Sequence, residues 1–109
     1  MLTSTVPVDV TPEAAHRIAE LGIRSEVDHM IEHAIKTVRG IQQVEITLEP
    51  INEMYDEPWL SGRAYRADEL WDTENPDVDQ YNRWIIDTFP PDVLWRFVLH
   101  IRAGAPHAR

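Results

Sequence analysis

Between Gln43 and Glu49 apolar and polar residues alternate without a break: Val44, Ile46 and Leu48 against Gln43, Glu45, Thr47 and Glu49. Such alternation makes a strand with one face that must be covered and one that water can wet. The cover is encoded just upstream. Val27, Met30, Ile31, Ala34, Ile35 and Val38 fall within one helical face about 140° wide, and Gly40 follows as a C-terminal stop. A helical stripe followed within a few residues by a period-2 strand predicts helices laid on the apolar side of a sheet.

The flanking segments extend this pattern. Val6, Val8 and Val10 alternate around Pro7, which predicts an edge strand or an extended arm because proline cannot donate to a ladder. Thr11-Pro12-Glu13 combines a capping hydroxyl, a proline tolerated at the first helical position and an acid favoured by the helix dipole. Ala14, Ala15, Ile18 and Leu21 follow at helical spacing, and the stripe changes phase at Gly22. Thr11–Val38 is therefore expected to be a helical pair broken near Gly22, with Ser25 as the second cap and Asp28 three residues on. Downstream, Pro50–Pro58 is an acidic loop and Trp59–Arg66 a second strand. Ala67–Gln80, interrupted by Asn75-Pro76, is a loop with one helical turn around Asp68–Trp71. Tyr81–Phe89, rich in aromatic and β-branched residues, is a third strand centred on Asn82–Thr88.

The C-terminal segment carries two patterns. Val93, Leu94, Phe97, Val98 and Ile101 share a helical face, while Val93, Trp95, Phe97, Leu99 and Ile101 alternate. We expect a helical turn from Pro91 to Phe97 that passes into a strand ending at Arg102; a helix running to Arg102 is the alternative. The fold class is α+β: a two-layer sandwich with an antiparallel sheet of three to four strands packed against an N-terminal helical pair. One domain spans 1–109, with 1–5 and 103–109 frayed.

Composition removes several functions. There is no cysteine, which excludes disulfides, thiolate metal sites and cysteine nucleophiles. The net charge of −9 argues against nucleic acid and anionic membrane surfaces as partners. No apolar run approaches the roughly 18 residues of a membrane span. The N-terminus lacks the basic-then-apolar pattern of a signal peptide. The expected location is cytoplasmic. Residues 49–79 hold ten acids against two bases, so the excess charge is concentrated in the middle third.

Candidate chemistry is sparse. His29-Met30-Ile31-Glu32-His33 satisfies the H-x-x-E-H string of inverted zincins, in which two histidines at i and i+4 hold zinc. These histidines lie about 180° and 140° from the centre of the apolar stripe. That angle puts His29 and His33 on a solvated helix face with no third ligand in view, and neither a metal site nor a cofactor is expected. Asp72-Thr73-Glu74 and Asp77-Val78-Asp79 lack the glycine of a calcium loop. The glycines at 22, 40, 62 and 104 form no phosphate cradle, and no serine sits in a nucleophile elbow. No catalytic residue can be assigned. Val8-Asp9-Val10-Thr11-Pro12-Glu13-Ala14-Ala15 is similar to the strand-to-helix start of A-type iron–sulfur scaffold proteins. Those proteins bind metal through cysteines, so with no cysteine here the likeness carries over neither fold nor function.

The aromatic residues say more. Trp59, Trp71, Trp84 and Trp95, with Tyr55, Tyr65 and Tyr81, are a heavy load for 109 residues, and Trp, Tyr and Arg are the residues that anchor protein interfaces. The expected function is a protein-interaction or regulatory module that binds a protein partner or itself, most simply as a homodimer. The alternative is a small enzyme or ligand-binding domain with a pocket between sheet and helices. A basic partner would meet residues 49–79, with Tyr55, Asp56, Glu57, Trp71, Asp72, Glu74 and Asp77 as the contact set.

Overall fold

The computed structural model describes residues 6–51, 53, 56–72 and 74–104. In chain order the elements are β1 (Val8–Val10), α1 (Pro12–Leu21), α2 (Arg24–Thr37), β2 (Ile41–Glu49), β3 (Trp59–Arg66), a 3-10 turn at Asp68–Leu70, α3 (Pro76–Thr88), α4 (Pro91–Leu94) and β4 (Leu99–Ala103). The cap of α1 is the expected one, since the Thr11 hydroxyl accepts the Ala14 N–H at 3.2 Å. Gly22 ends that helix at φ 68°, a left-handed conformation that favours glycine. The second helix departs from expectation: it starts at Arg24 with no side-chain cap, and Ser25 lies inside it. Burial of Ile23 beside Gly22 restarts the helix at once, so a separate capping residue is unnecessary.

The sheet has the order β1-β2-β3-β4. Only the central pair is antiparallel, with Val44 opposite Ala64 and Ile46 opposite Gly62. β1 runs parallel to β2, and β4 parallel to β3. The expectation of a wholly antiparallel sheet is thus corrected to a mixed one. Each parallel pair is joined through helices, as parallel strands require. Val44, Ile46, Ala64 and Leu99, in register across three strands, are all buried beneath the helices on one face. The two parallel pairs point in opposite directions yet both keep their helices on that face. Their crossovers therefore have opposite hands, and one is the uncommon left-handed kind.

The main correction concerns Pro76–Thr88, which is a helix rather than a loop followed by a strand. Val78, Tyr81, Ile85 and Phe89 are buried at helical spacing. Asn75-Pro76-Asp77 is the start of this helix, with proline in its first turn, not a loop interruption. The covering layer is consequently not confined to the N-terminal pair. At the C-terminus the expected turn-to-strand passage is found, and the helix running to Arg102 is not. The expectations for 1–5 and for 105–109 lie outside the described residues; Ala103 closes β4.

Three contacts fasten the second crossover. A Cβ at Gly62 would stand 2.5 Å from the Phe97 ring, so the missing side chain is what lets Phe97 pack against β3. The buried Tyr81 hydroxyl donates to the Leu99 carbonyl at 3.1 Å, and burial pushes that phenol well above its ordinary range. Arg66, 1% exposed, is the buried charge. Its Nη2 meets Asp77 Oδ2 at 3.1 Å, and its guanidinium lies 5.2 Å from the centre of the Trp71 ring. Asp77 also accepts the backbone N–H groups of Arg39 and Val78. Burial alone would raise the Asp77 carboxyl. The Arg39 N–H, the Arg66 guanidinium and the local backbone N–H groups outweigh it and hold the carboxyl below its usual value.

These contacts set the stability of the crossover. Gly62→Ala forces a methyl into the Phe97 ring and should cost about 1–3 kcal/mol, read as a fall in the urea midpoint with an unchanged slope. Asp77→Asn leaves the Arg66 charge buried without its counter-ion and should cost about 3 kcal/mol. Arg66→Met should cost less, because Asp77 keeps its two N–H donors at a helix N-terminus. The Asp77 carboxyl is depressed in the folded chain, so its contribution is complete above the unfolded value near about 3.9. It disappears as pH falls through the folded value. Wild type and Asp77→Asn should therefore differ fully at neutral pH and converge in acid.

Candidate interaction surface

The turn after Pro90-Pro91 decides what the C-terminal half presents. Backbone bonds from Trp95 to Pro91 at 2.9 Å and from Phe97 to Val93 at 3.0 Å hold residues 91–97 in helical geometry. Phe97 is pinned inside against Gly62, and Val93 and Leu94 are half-buried against the core. Trp95 falls on the opposite side and is 87% exposed. Ile86, one position past the buried Ile85 on α3, is 68% exposed. With Phe89, Pro91 and Leu94 they form a contiguous apolar patch, the kind of surface feature that makes a candidate binding site.

Trp95 stands between two hollows. On one side is an apolar shelf of about 380 Å³ formed by Ile86, Phe89, Pro91 and Leu94. On the other is a polar cleft of about 680 Å³ with Arg17, Glu57, Trp59 and Arg96 in its walls and Leu60 and Leu21 in its lining. Arg17 ties the cleft together, donating to Glu57 at 3.0 Å and to Glu20 at 3.4 Å. One side of the ridge therefore offers dry contact, and the other offers both signs of charge.

The anticipated contact set is divided by this fold. Asp56 and Glu57 precede β3 and line the cleft. Asp72, Glu74 and Asp77 follow β3, an eight-residue strand, and so lie about 26 Å away at its far end. The acidic third of the sequence is two clusters rather than one surface. Asp77 is committed to Arg66 and α3. Trp71 is half-buried over Arg66, with its indole N–H buried. Asp72 and Asn75 bond one another through the Asp72 N–H and carbonyl. Tyr55 lies outside the described residues. Trp95 was the residue missed. The alternating pattern grouped it with the core, whereas the helical pattern of Val93, Leu94 and Phe97 leaves it outside.

His29 and His33 are also displaced from expectation. His29 is exposed, but His33 is half-buried because α3 covers it. Its ring lies flat on Trp84, with centroids 3.7 Å apart and planes 7° from parallel. His29 meets the same indole edge-on at 5.1 Å. Burial, followed by the charges of His29 and Lys36, holds His33 below the ordinary histidine range. The pair thus packs α2 onto α3. Among the described residues, no group of three or more His, Asp or Glu side chains stands close enough to hold a metal ion. Among them, too, no helix is long and apolar enough to cross a membrane.

No family model, no curated protein and no solved structure matches this chain.

Proposed function

We propose that this chain is a protein-interaction module whose docking element is the ridge of Trp95 between the apolar shelf and the polar cleft. The observation that carries this reading is the 87% exposure of Trp95 beside the exposed Ile86. Indole anchors of this kind dominate binding energy when a partner dries them. The partner class is a protein segment with apolar side chains for the shelf and basic residues beside them. Asp56, Glu57, Asp87 and Asp92 flank the surface in the chain, and the net charge of −9 favours encounter with a basic partner. The cysteine-free, acidic composition supports a cytoplasmic setting. An enzyme with a pocket between sheet and helices is disfavoured, since Met30, Val44, Ile46, Tyr81 and Leu99 fill that interior with no exposed surface. A second copy of the chain is the other partner class, supported by the uncovered face of the sheet.

Selection of peptides from a random library on the immobilised full chain tests the reading. Recovered peptides should pair Leu, Ile or Phe with Lys or Arg and weaken as salt screens them. Trp95→Ala should reduce their affinity at least about tenfold while changing stability by less than about 0.5 kcal/mol. Peptides that bind Trp95→Ala as well as wild type, or that are acidic, would overturn it.

A further inference from the structure

The face of the sheet turned away from the helices carries a charge pattern that is complementary to itself. Asp9 pairs in register with Glu45, Glu45 with Arg63, and Arg63 with His100. One residue from each of the four strands therefore stands in a single row, and alternation along the strands puts all four on the outer face. The row reads acid, acid, guanidinium, imidazole. The next row holds Gln43, Tyr65 and Arg102. Glu49 lies further along β2, so β1 and β2 carry the acids of this face and β3 and β4 its bases.

We infer that this face joins two copies of the chain about a twofold axis running along the strands. Rotation about such an axis lays β1 over the partner's β4 and β2 over the partner's β3. Each Glu45 then faces an Arg63 and each Asp9 a His100, and every contact occurs twice. A uniformly basic or acidic partner would meet like charge over half of the same face.

The centre of the face is already ordered within one chain. Arg63 donates to Ser61 at 2.8 Å and to Thr47 at 3.4 Å and pairs with Glu45 at 3.5 Å. Tyr65 donates to the same Glu45 carboxylate at 3.2 Å. Side chains fixed before association lose little entropy on binding. The outer residues Asp9, His100 and Arg102 are exposed. Partial desolvation of its ring against the sheet, then the charge of Arg102, holds His100 below the ordinary histidine range. At neutral pH the cation facing the partner's Asp9 is therefore Arg102, one row along.

Strands of three, nine, eight and five residues, about 4.8 Å apart and rising about 3.3 Å per residue, cover roughly 400 Å² per copy. The total of about 800 Å² falls below that of stable interfaces and is the size of a weak, transient one. The dimer is thus a dissociable one, and the charge of −9 on each copy opposes it at low salt.

This inference rests on reading the chain as an interaction module, but it uses a different surface from Trp95. Sedimentation of the full chain from about 5 to 500 µM in about 0.15 M salt should show a concentration-dependent dimer. Asp9→Lys should weaken it at least about tenfold, and Asp9→Lys combined with Arg102→Glu should restore it to within about threefold. Circular dichroism should be unchanged, since both positions are on the wet face. A chain that stays monomeric at the highest concentration, or a dimer indifferent to both variants, overturns the proposal. Trp95→Ala should leave the dimer intact. If it abolishes the dimer while the charge variants do not, the second copy occupies the Trp95 ridge and the sheet-face interface is wrong.

Discussion

The missing side chain at Gly62 governs more of this molecule than any residue with a side chain does. Because nothing projects from β3 at that point, the Phe97 ring packs against the strand, within 2.5 Å of where a Cβ would be. Leu99 then enters register with Gly62 as the first paired residue of β4. Fixing Phe97 inside also fixes what points outside. In the helical turn that leads to it, Trp95 has no inward position left. The core constraint and the exposed indole are two ends of one local geometry. A side chain at Gly62 would disturb the packing of Phe97 and the placement of Trp95 together.

The parts of the fold that were legible are those in which period and punctuation agree. Val44, Ile46 and Leu48 alternate without Pro or Gly, and Ile46 and Val44 are fully buried. Thr11-Pro12-Glu13 announced α1, and its hydroxyl forms the cap. The same grammar is present at Asn75-Pro76-Asp77, yet its pattern reads as a break. Two physical differences account for that. Asn75 spends its side chain backwards on Asp72 instead of capping α3, and the helix that follows is built from Tyr, Trp, Ile and Phe, whose intrinsic preference is extended. Packing on α2 overrides that preference, most directly where Trp84 lies flat on His33. The expectation of an antiparallel neighbour on the far side of β3 has the same origin. Once α3 replaces a third strand, β3 can reach β4 only through a crossover, and a parallel neighbour results.

The site was less legible because charge in a sequence does not say where charge will stand. The ten acids of residues 49–79 form one run in the chain, but β3 separates them by its whole length. Some are also spent on structure. Asp77 neutralises the buried Arg66, and Glu57 engages Arg17 on the neighbouring helix. Trp71 looked like a free aromatic because its neighbours are polar, yet it covers a guanidinium that the strand pattern places on the inner face. A buried arginine is the one feature of β3 that periodicity could have flagged, since Arg66 continues the inward series of Leu60, Gly62 and Ala64. An inward arginine demands an acid nearby, and that demand is what removes Asp77 from the surface.

The same reasoning explains why an acidic chain can carry a self-complementary face. Net charge acts over the Debye length, about 8 Å at physiological salt, while a contact row acts at a few ångströms. In the proposed twofold arrangement Glu45 stands opposite Arg63 and Asp9 lies near Arg102, one row along, while the remaining acids are farther away. Screening weakens the distant repulsion first, because exposed charges are more fully solvated than the half-buried Glu45 and Arg63. The balance therefore shifts toward association as salt rises to physiological strength, and back again once the row itself is screened. The Trp95 ridge, proposed to take a basic partner, should instead loosen its hold steadily as salt rises, with the apolar shelf supplying the part that salt does not screen. Up to physiological strength the two proposed surfaces therefore respond to salt in opposite senses.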